Sequence, residues 1–193
     1  VGTDSVRCVI GRAPERAGDL PHIPGVGTAK TFGMRRGSVV DPVGVAQSID
    51  AALAEAEKIS GVSVDGATFS INGQNVMTHG SKGAASIENG EHVTERDVDQ
   101  AINAASIVQL PNNQRLMELV PISFRVDGED ETQDPVGMTG GRLEVEAVII
   151  SAAEAHLRTL EKAIATANIN CNGLQPEVRA GAEAVLARDQ RER

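Results

Sequence analysis

Tryptophan and tyrosine are absent from the 193-residue chain, and phenylalanine occurs only three times. Proteins that hold single-stranded nucleic acid stack its bases on aromatic side chains, so that mode of recognition is excluded. Positive charge is also scarce: 18 Lys and Arg stand against 27 Asp and Glu, a formal net charge of −9 and a pI of about 4.9. Such a field repels phosphate backbones and opposes unaided docking on anionic lipid. Two cysteines, Cys8 and Cys171, are too few for a disulfide framework and read as small buried side chains. No apolar run is long enough to cross a bilayer and no charged-then-apolar leader opens the sequence, which therefore reads as cytosolic. His22, His79, His92 and His156 are scattered without ligand spacing, so no metal site built from side chains is expected. No Ser or Cys occupies a nucleophile motif with a local base.

What remains is ordinary globular composition, 40% hydrophobic and 23% charged, on a chain long enough to bury a core. Val6 to Gly11 alternates like a half-buried strand, residues 12–22 read as a loop, and a second strand fits Ile23 to Phe32. After a basic turn at Gly33 to Gly37 and the short β-branched Ser38-Val39-Val40, a helix starts behind Asp41 with Pro42 in its first turn. Val45, Ile49, Leu53, Ala56 and Ile59 line its apolar face and Gly61 stops it. Ala67, Phe69 and Ile71 then alternate with polar residues as in a strand.

Beyond Asn72 the texture changes. Residues 73–92 are rich in Gly, Ser, Asn and His, with one weak strand at Ala84 to Ile87. Thr94 to Asp97 resembles a capping box opening a helix, with Val98, Ala101, Ile102 and Ala105 on one face and an end at Pro111. One strand then places Val120, Ile122, Phe124 and Val126 on a common face, and another Leu143, Val145, Ala147 and Ile149. The loop between them, Asp127 to Gly141, is too acidic and glycine-rich for a core; its run Glu129-Asp130-Glu131 reads as solvated. Ser151 to Glu154 forms a second capping box before a helix striped by Leu157, Leu160, Ile164 and Ala167. A connector and strand follow at Asn168 to Leu174. A last helix opens at Pro176, with Val178, Ala182, Val185 and Leu186 on its apolar side, and Arg188 to Arg193 is a charged end.

The order is three strands, helix, strand, then a strand-helix-strand-strand block, then helix, strand, helix. The fold class is α/β, with residues 76–150 inserted as a small domain between 1–75 and 151–193 and expected to fold independently.

Four stretches resemble one family. Val1-Gly2-Thr3-Asp4-Ser5-Val6 is similar to the tail of the first phosphate loop of the actin-like ATPase fold. Arg36-Gly37-Ser38-Val39-Val40-Asp41 resembles the R-G-x-V-V-D turn of the FtsA family, and Asp134 to Glu144 its D-P-x-G-M-x-G-x-R-L-E loop. Leu174-Gln175-Pro176, with Ala180 and the run to Leu186, resembles the segment before the second phosphate loop. The resemblance implies a partial actin-like (ribonuclease H-like) ATPase lobe, subdomain 1A, with inserted subdomain 1C at 76–150. It implies a division scaffold on the cytoplasmic side of the membrane at the division site, holding ATP with Mg in the intact protein. Its partners would be FtsZ, later division proteins and further copies of itself, the last two through 76–150. Nucleic acid is not among them. Membrane contact would run through a C-terminal amphipathic helix outside this sequence.

By the same resemblance, Gly2, Thr3, Asp4 and Ser5 supply the turn that approaches a polyphosphate, with Asp4 an awkward neighbour that faces away. Gln175 is either the residue that orients an attacking water or an exposed polar residue before Pro176. The family's metal-holding opening Asp does not precede Val1, and the second phosphate loop and second lobe do not follow. The chain is thus expected to be a trimmed piece that hydrolyses no ATP alone. Pro24 to Lys30 lacks G-K-[ST] and leads into strand residues, so it reads as a strand, not a P-loop. Competing readings are another actin-fold ATPase, such as a sugar kinase or chaperone-type enzyme, and a pilus-assembly relative such as PilM. A kinase of this fold needs substrate-binding acids near its cleft, and no such cluster is present.

Overall fold

The computed structural model describes residues 1–16, 19–71, 73, 76–87, 92–108 and 110–186; Asn72 and the charged end Arg188 to Arg193 lie outside them. The chain divides into two compact units, Val1–Asn75 with Glu154–Arg193, and Val76–Ala153. The first contains β1 (Ser5–Arg12), β2 (His22–Lys30), β3 (Met34–Arg35), β4 (Ser38–Val39), α1 (Pro42–Ser60), β5 (Gly66–Ile71), α3 (Glu154–Thr166), β9 (Asn170–Pro176) and α4 (Glu177–Val185). The second contains β6 (Val76–Ser86), α2 (Glu95–Ser106), β7 (Gln114–Val126) and β8 (Arg142–Ala153).

In the first unit β1 pairs antiparallel with β2, β3 with β4, and β5 runs parallel to β9. Helix α1 is fixed at both ends by local chemistry. The Asp41 side chain accepts from the Val43 N–H at 3.1 Å, Pro42 sits in the first turn, and Gly61 closes the helix in the left-handed region at φ 70°. Its buried face is Val45, Ile49, Ala52 and Ala56, with Ser48 made affordable by two hydrogen bonds: its hydroxyl donates to Gly44 O and accepts from the Phe32 N–H. The expected stripe overruns at its end, where Ile59 is exposed. The helix lies close on β2 because Gly25 and Gly27 offer no Cβ; one built at Gly27 meets Ala52 O at 2.0 Å. Pro24 to Lys30 is therefore strand β2, shaped by helix contact.

In α3, Leu157, Leu160, Ile164 and Ala167 are buried as their spacing predicts. The box expected to open it does not form. β8 continues through Ala153, which places Ser151 inside the strand opposite Met77 and Leu116, fully buried with its hydroxyl oxygen unbonded. On α4, Val178 and Val185 are exposed, against expectation, because no described element packs over that side. Cys171 is exposed as well, on a strand whose outer residues face solvent, while Cys8 is half-buried.

The second unit is a three-stranded antiparallel sheet, order β6-β8-β7, with α2 against one face. Leu143, Val145, Ala147 and Ile149 of central β8 all point inward. Leu143 and Val145 join Ile87, Val93, Ala101, Ala105, Phe124 and Val126 in one core. Burying each of the larger side chains contributes about 1.5–3 kcal/mol. Thr94 caps α2 in a reciprocal box with Asp97. β7 departs from period two: register shifts between Leu116 and Glu118 and between Pro121 and Ser123 turn Ile122 outward while Phe124 and Val126 stay in the core, and Ser123 is buried on the opposite face, beside Glu146. The strand expected only at Ala84 to Ile87 is in fact eleven residues long, paired throughout with β8. Its small and polar residues carry little strand preference, and pairing supplies what they lack.

Candidate functional site

The turn before β1 is built by its backbone. The Gly2 N–H donates to Ser5 O at 3.0 Å, and a Cβ on Gly2 would lie 2.9 Å from that oxygen, so the position suits glycine. The Thr31 N–H donates to Asp4 O at 2.9 Å, tying the turn to the end of β2. Thr3 Oγ1 accepts from the Gly37 N–H at 2.9 Å, which holds the β3–β4 turn. Thr3 and Asp4 are exposed, Gly2 and Ser5 half-buried.

Gln175 is exposed near the end of β9, opposite Ser70 of β5. The turn and Gln175 stand on different sheets. Between the two sheets lies a groove of about 470 Å³, lined by Val6 to Gly11 of β1 and Gly66 to Ser70 of β5 over Ile49 and Leu53. Consecutive strand residues on both walls mean that backbone edges form them, since side chains alternate. Cys8 faces this groove, and burial, reinforced by Glu57, pushes its thiol pKa up. Sequence reasoning did not anticipate the groove, because spacing along β1 and β5 carries no information about the distance between them.

The loop Asp134 to Glu144 is a structural device in the second unit. Asp127, itself in the left-handed region at φ 50°, accepts from the Gly141 and Arg142 N–H groups through its carboxylate. The Gly137 N–H donates to Val93 O, and the Val93 N–H to Met138 O at 2.8 Å. Gly137 has φ 88°, a conformation that favours glycine. Pro135 is buried and Met138 packs on the core, so this part of the loop is not the solvated segment its composition suggests. Glu129 and Asp130 are exposed as expected, and Glu131 pairs with Arg125.

The sheet face opposite α2 carries charge. Lys82 pairs with Glu146, whose carboxyl it holds below the usual range, and Arg142 pairs with Glu144 at 3.1 Å. With Ser123 and Arg125 these groups line a shallow hollow of about 260 Å³. The signal for this face is in the sequence: Arg142, Glu144 and Glu146 alternate with inward Leu143, Val145 and Ala147.

His156 of α3 is half-buried, and burial lowers its pKa from the ordinary 6.5. The folded state thus resists protonation that the unfolded chain accepts. The associated stability is present above pH 6.5 and is lost as pH falls through the lowered value. The expected result is a denaturation midpoint that falls between pH 7 and 5 (~2 pH steps across the His range), with a shallower fall in His156→Gln. Identical profiles for the two proteins would remove His156 as the cause.

Residues 73–151 match the family model described as the SHS2 domain inserted in FtsA. Across its length the chain is similar to the cell division protein FtsA of Bacillus subtilis, 32% identical over 193 residues, covering 99% of this chain and 43% of that protein. It is 28% identical to FtsA of Neisseria meningitidis, covering 46% of that protein, and 24% identical to FtsA of Escherichia coli, covering 45%. The chain thus spans less than half the length of these curated relatives. Among solved structures it is similar to a chain of a PilM–PilN type IV pilus biogenesis complex, with a TM-score of 0.60 and 15% identity, covering 95% of this chain and 47% of that one. That likeness shows an actin-like fold alone. Among the described residues no helix is long and apolar enough to cross a membrane.

Proposed function

We propose that this chain, a homologue of the N-terminal part of the cell division protein FtsA, is the scaffold-forming half of an actin-like division protein on the cytoplasmic side of the membrane. The observation that carries the reading is the match over the whole chain together with the inserted unit, matched on its own at residues 73–151. Val1–Asn75 with Glu154–Arg193 would be part of subdomain 1A, and Val76–Ala153 would be subdomain 1C, the module for later division proteins and for further copies of the chain.

FtsZ and the membrane would be engaged by the remainder of the relatives' length. ATP with Mg would belong to the whole protein, with Gly2, Thr3, Asp4 and Ser5 approaching the phosphates. Thr3 supports this role with restrictions: its oxygen already accepts from Gly37, leaving the hydroxyl proton to donate. Gln175 would orient a water from the edge of β9. The likeness to PilM is one of fold, so the pilus reading gains no function from it.

Grafted in place of the matching segment of the Bacillus subtilis relative, this chain is expected to restore septa in cells depleted of the native protein. Unseptated filaments, with the chimera present at normal abundance, would sink the proposal.

A further inference from the structure

One edge of the sheet in Val76–Ala153 is open and regular. β6 pairs with β8 from Val76 opposite Ala152 to Ser86 opposite Arg142 without a register shift. It is an edge strand, and among the described residues no backbone hydrogen bond other than those to β8 reaches Val76–Ser86. The opposite edge is different. β7 is broken by two register shifts and contains Pro121, which has no N–H to give. Bulges and proline are the usual means by which an edge resists further pairing. β6 has neither, and its one lysine is engaged with Glu146 on the sheet face. Helix α2 covers that strand from above, where Ser81 donates to Ala105 O at 2.6 Å, not from the side.

We propose that β6 pairs antiparallel with β6 of a second copy of this chain, centred on Ser81, joining two three-stranded sheets into one. This deepens the self-association reading above and rests on it. The strand is complementary to itself in that register, the symmetric one that uses all eleven residues of Val76–Ser86. Met77 stands opposite Ala85 of the second copy, Thr78 opposite Ala84, His79 opposite Gly83 and Lys82 opposite Gly80. Each long side chain meets a small one, and no like charges face each other directly. Moving the centre to Lys82 sets the two lysines opposite, which cross-strand pairing disfavours. A two-fold contact of this kind closes on itself and gives a dimer.

Gly80 provides the test, because a Cβ there meets nothing within 4 Å and larger side chains fit the single copy. Gly80→Lys sets a lysine opposite Lys82 of the second copy, twice by symmetry. Gly80→Glu sets a carboxylate there instead. Sedimentation equilibrium of the full chain at low salt is expected to show association weakened by on the order of tenfold in Gly80→Lys and strengthened by a similar factor in Gly80→Glu. The two should converge as salt rises, and far-UV circular dichroism should show both folded. Equal weakening in both variants overturns the register. Association unchanged in both overturns the edge while leaving self-association by another surface standing. A chain that stays monomeric in all three forms removes both.

Discussion

Truncating Leu143 to alanine is expected to cost the Val76–Ala153 unit about 2–5 kcal/mol, the range for a large aliphatic side chain removed from a closed core. Leu143 is fully buried on central β8, between Ala85 of β6 and Val126 of β7. The chain has no tryptophan or tyrosine to report on unfolding, so the measurement is amide hydrogen exchange read separately over β8 and α1. Protection should fall across β8 and stay unchanged in α1. Equal losses in both would show that the inserted unit does not unfold independently.

Gly27→Ala is expected to damage the other unit at the β2–α1 contact. The new methyl group would sit 2.0 Å from Ala52 O and 2.6 Å from Ala56 N, both backbone atoms of α1 that cannot rotate away. Either α1 lifts from the sheet or β2 bends, at a cost of about 1–3 kcal/mol and more if neither yields easily. Gly80→Ala is the control, since its methyl group meets open space and slightly restricts the unfolded chain. Denaturant midpoints should fall clearly for Gly27→Ala and hold for Gly80→Ala. A Gly27→Ala midpoint equal to wild type would mean that α1 is not seated on β2 as closely as described.

These two sites also mark where sequence reading succeeded and stopped. Leu143, Val145, Ala147 and Ile149 were legible because β8 alternates from Arg142 to Ile149, with the odd-numbered residues buried. Asp41, Pro42 and Gly61 were legible because helix ends are set by residues within a turn of them. Gly25 and Gly27 gave no such signal: a glycine in a strand looks like weakness until the helix packed on it is known. The length of β6 was hidden for the same reason, since its glycines, serines and alanines become a strand only by pairing with β8. Ser151 failed in the opposite sense. Its motif was locally sound, but β8 ran three residues further than the motif assumed and carried the serine into the sheet (a shift of ~1 turn of helix, within the usual uncertainty of element ends).

For the candidate site, the residues of the first turn are proposed by resemblance, and the structure adds the bonds that hold the turn. Thr3 is partly committed to Gly37, Asp4 is tied by its carbonyl to Thr31, and Gln175 is exposed beside Ser70. The sequence by itself determined the order of elements apart from the two-residue β3, the caps of α1 and α2, and the inward residues of β8 and α3. Each of these depends on neighbours along the chain. Tertiary structure alone decided how close α1 sits on β2, where β7 breaks its alternation, which loop residues reach the core, and which sheet edge is left open. Those depend on atoms far apart in sequence, whose separation no periodicity records.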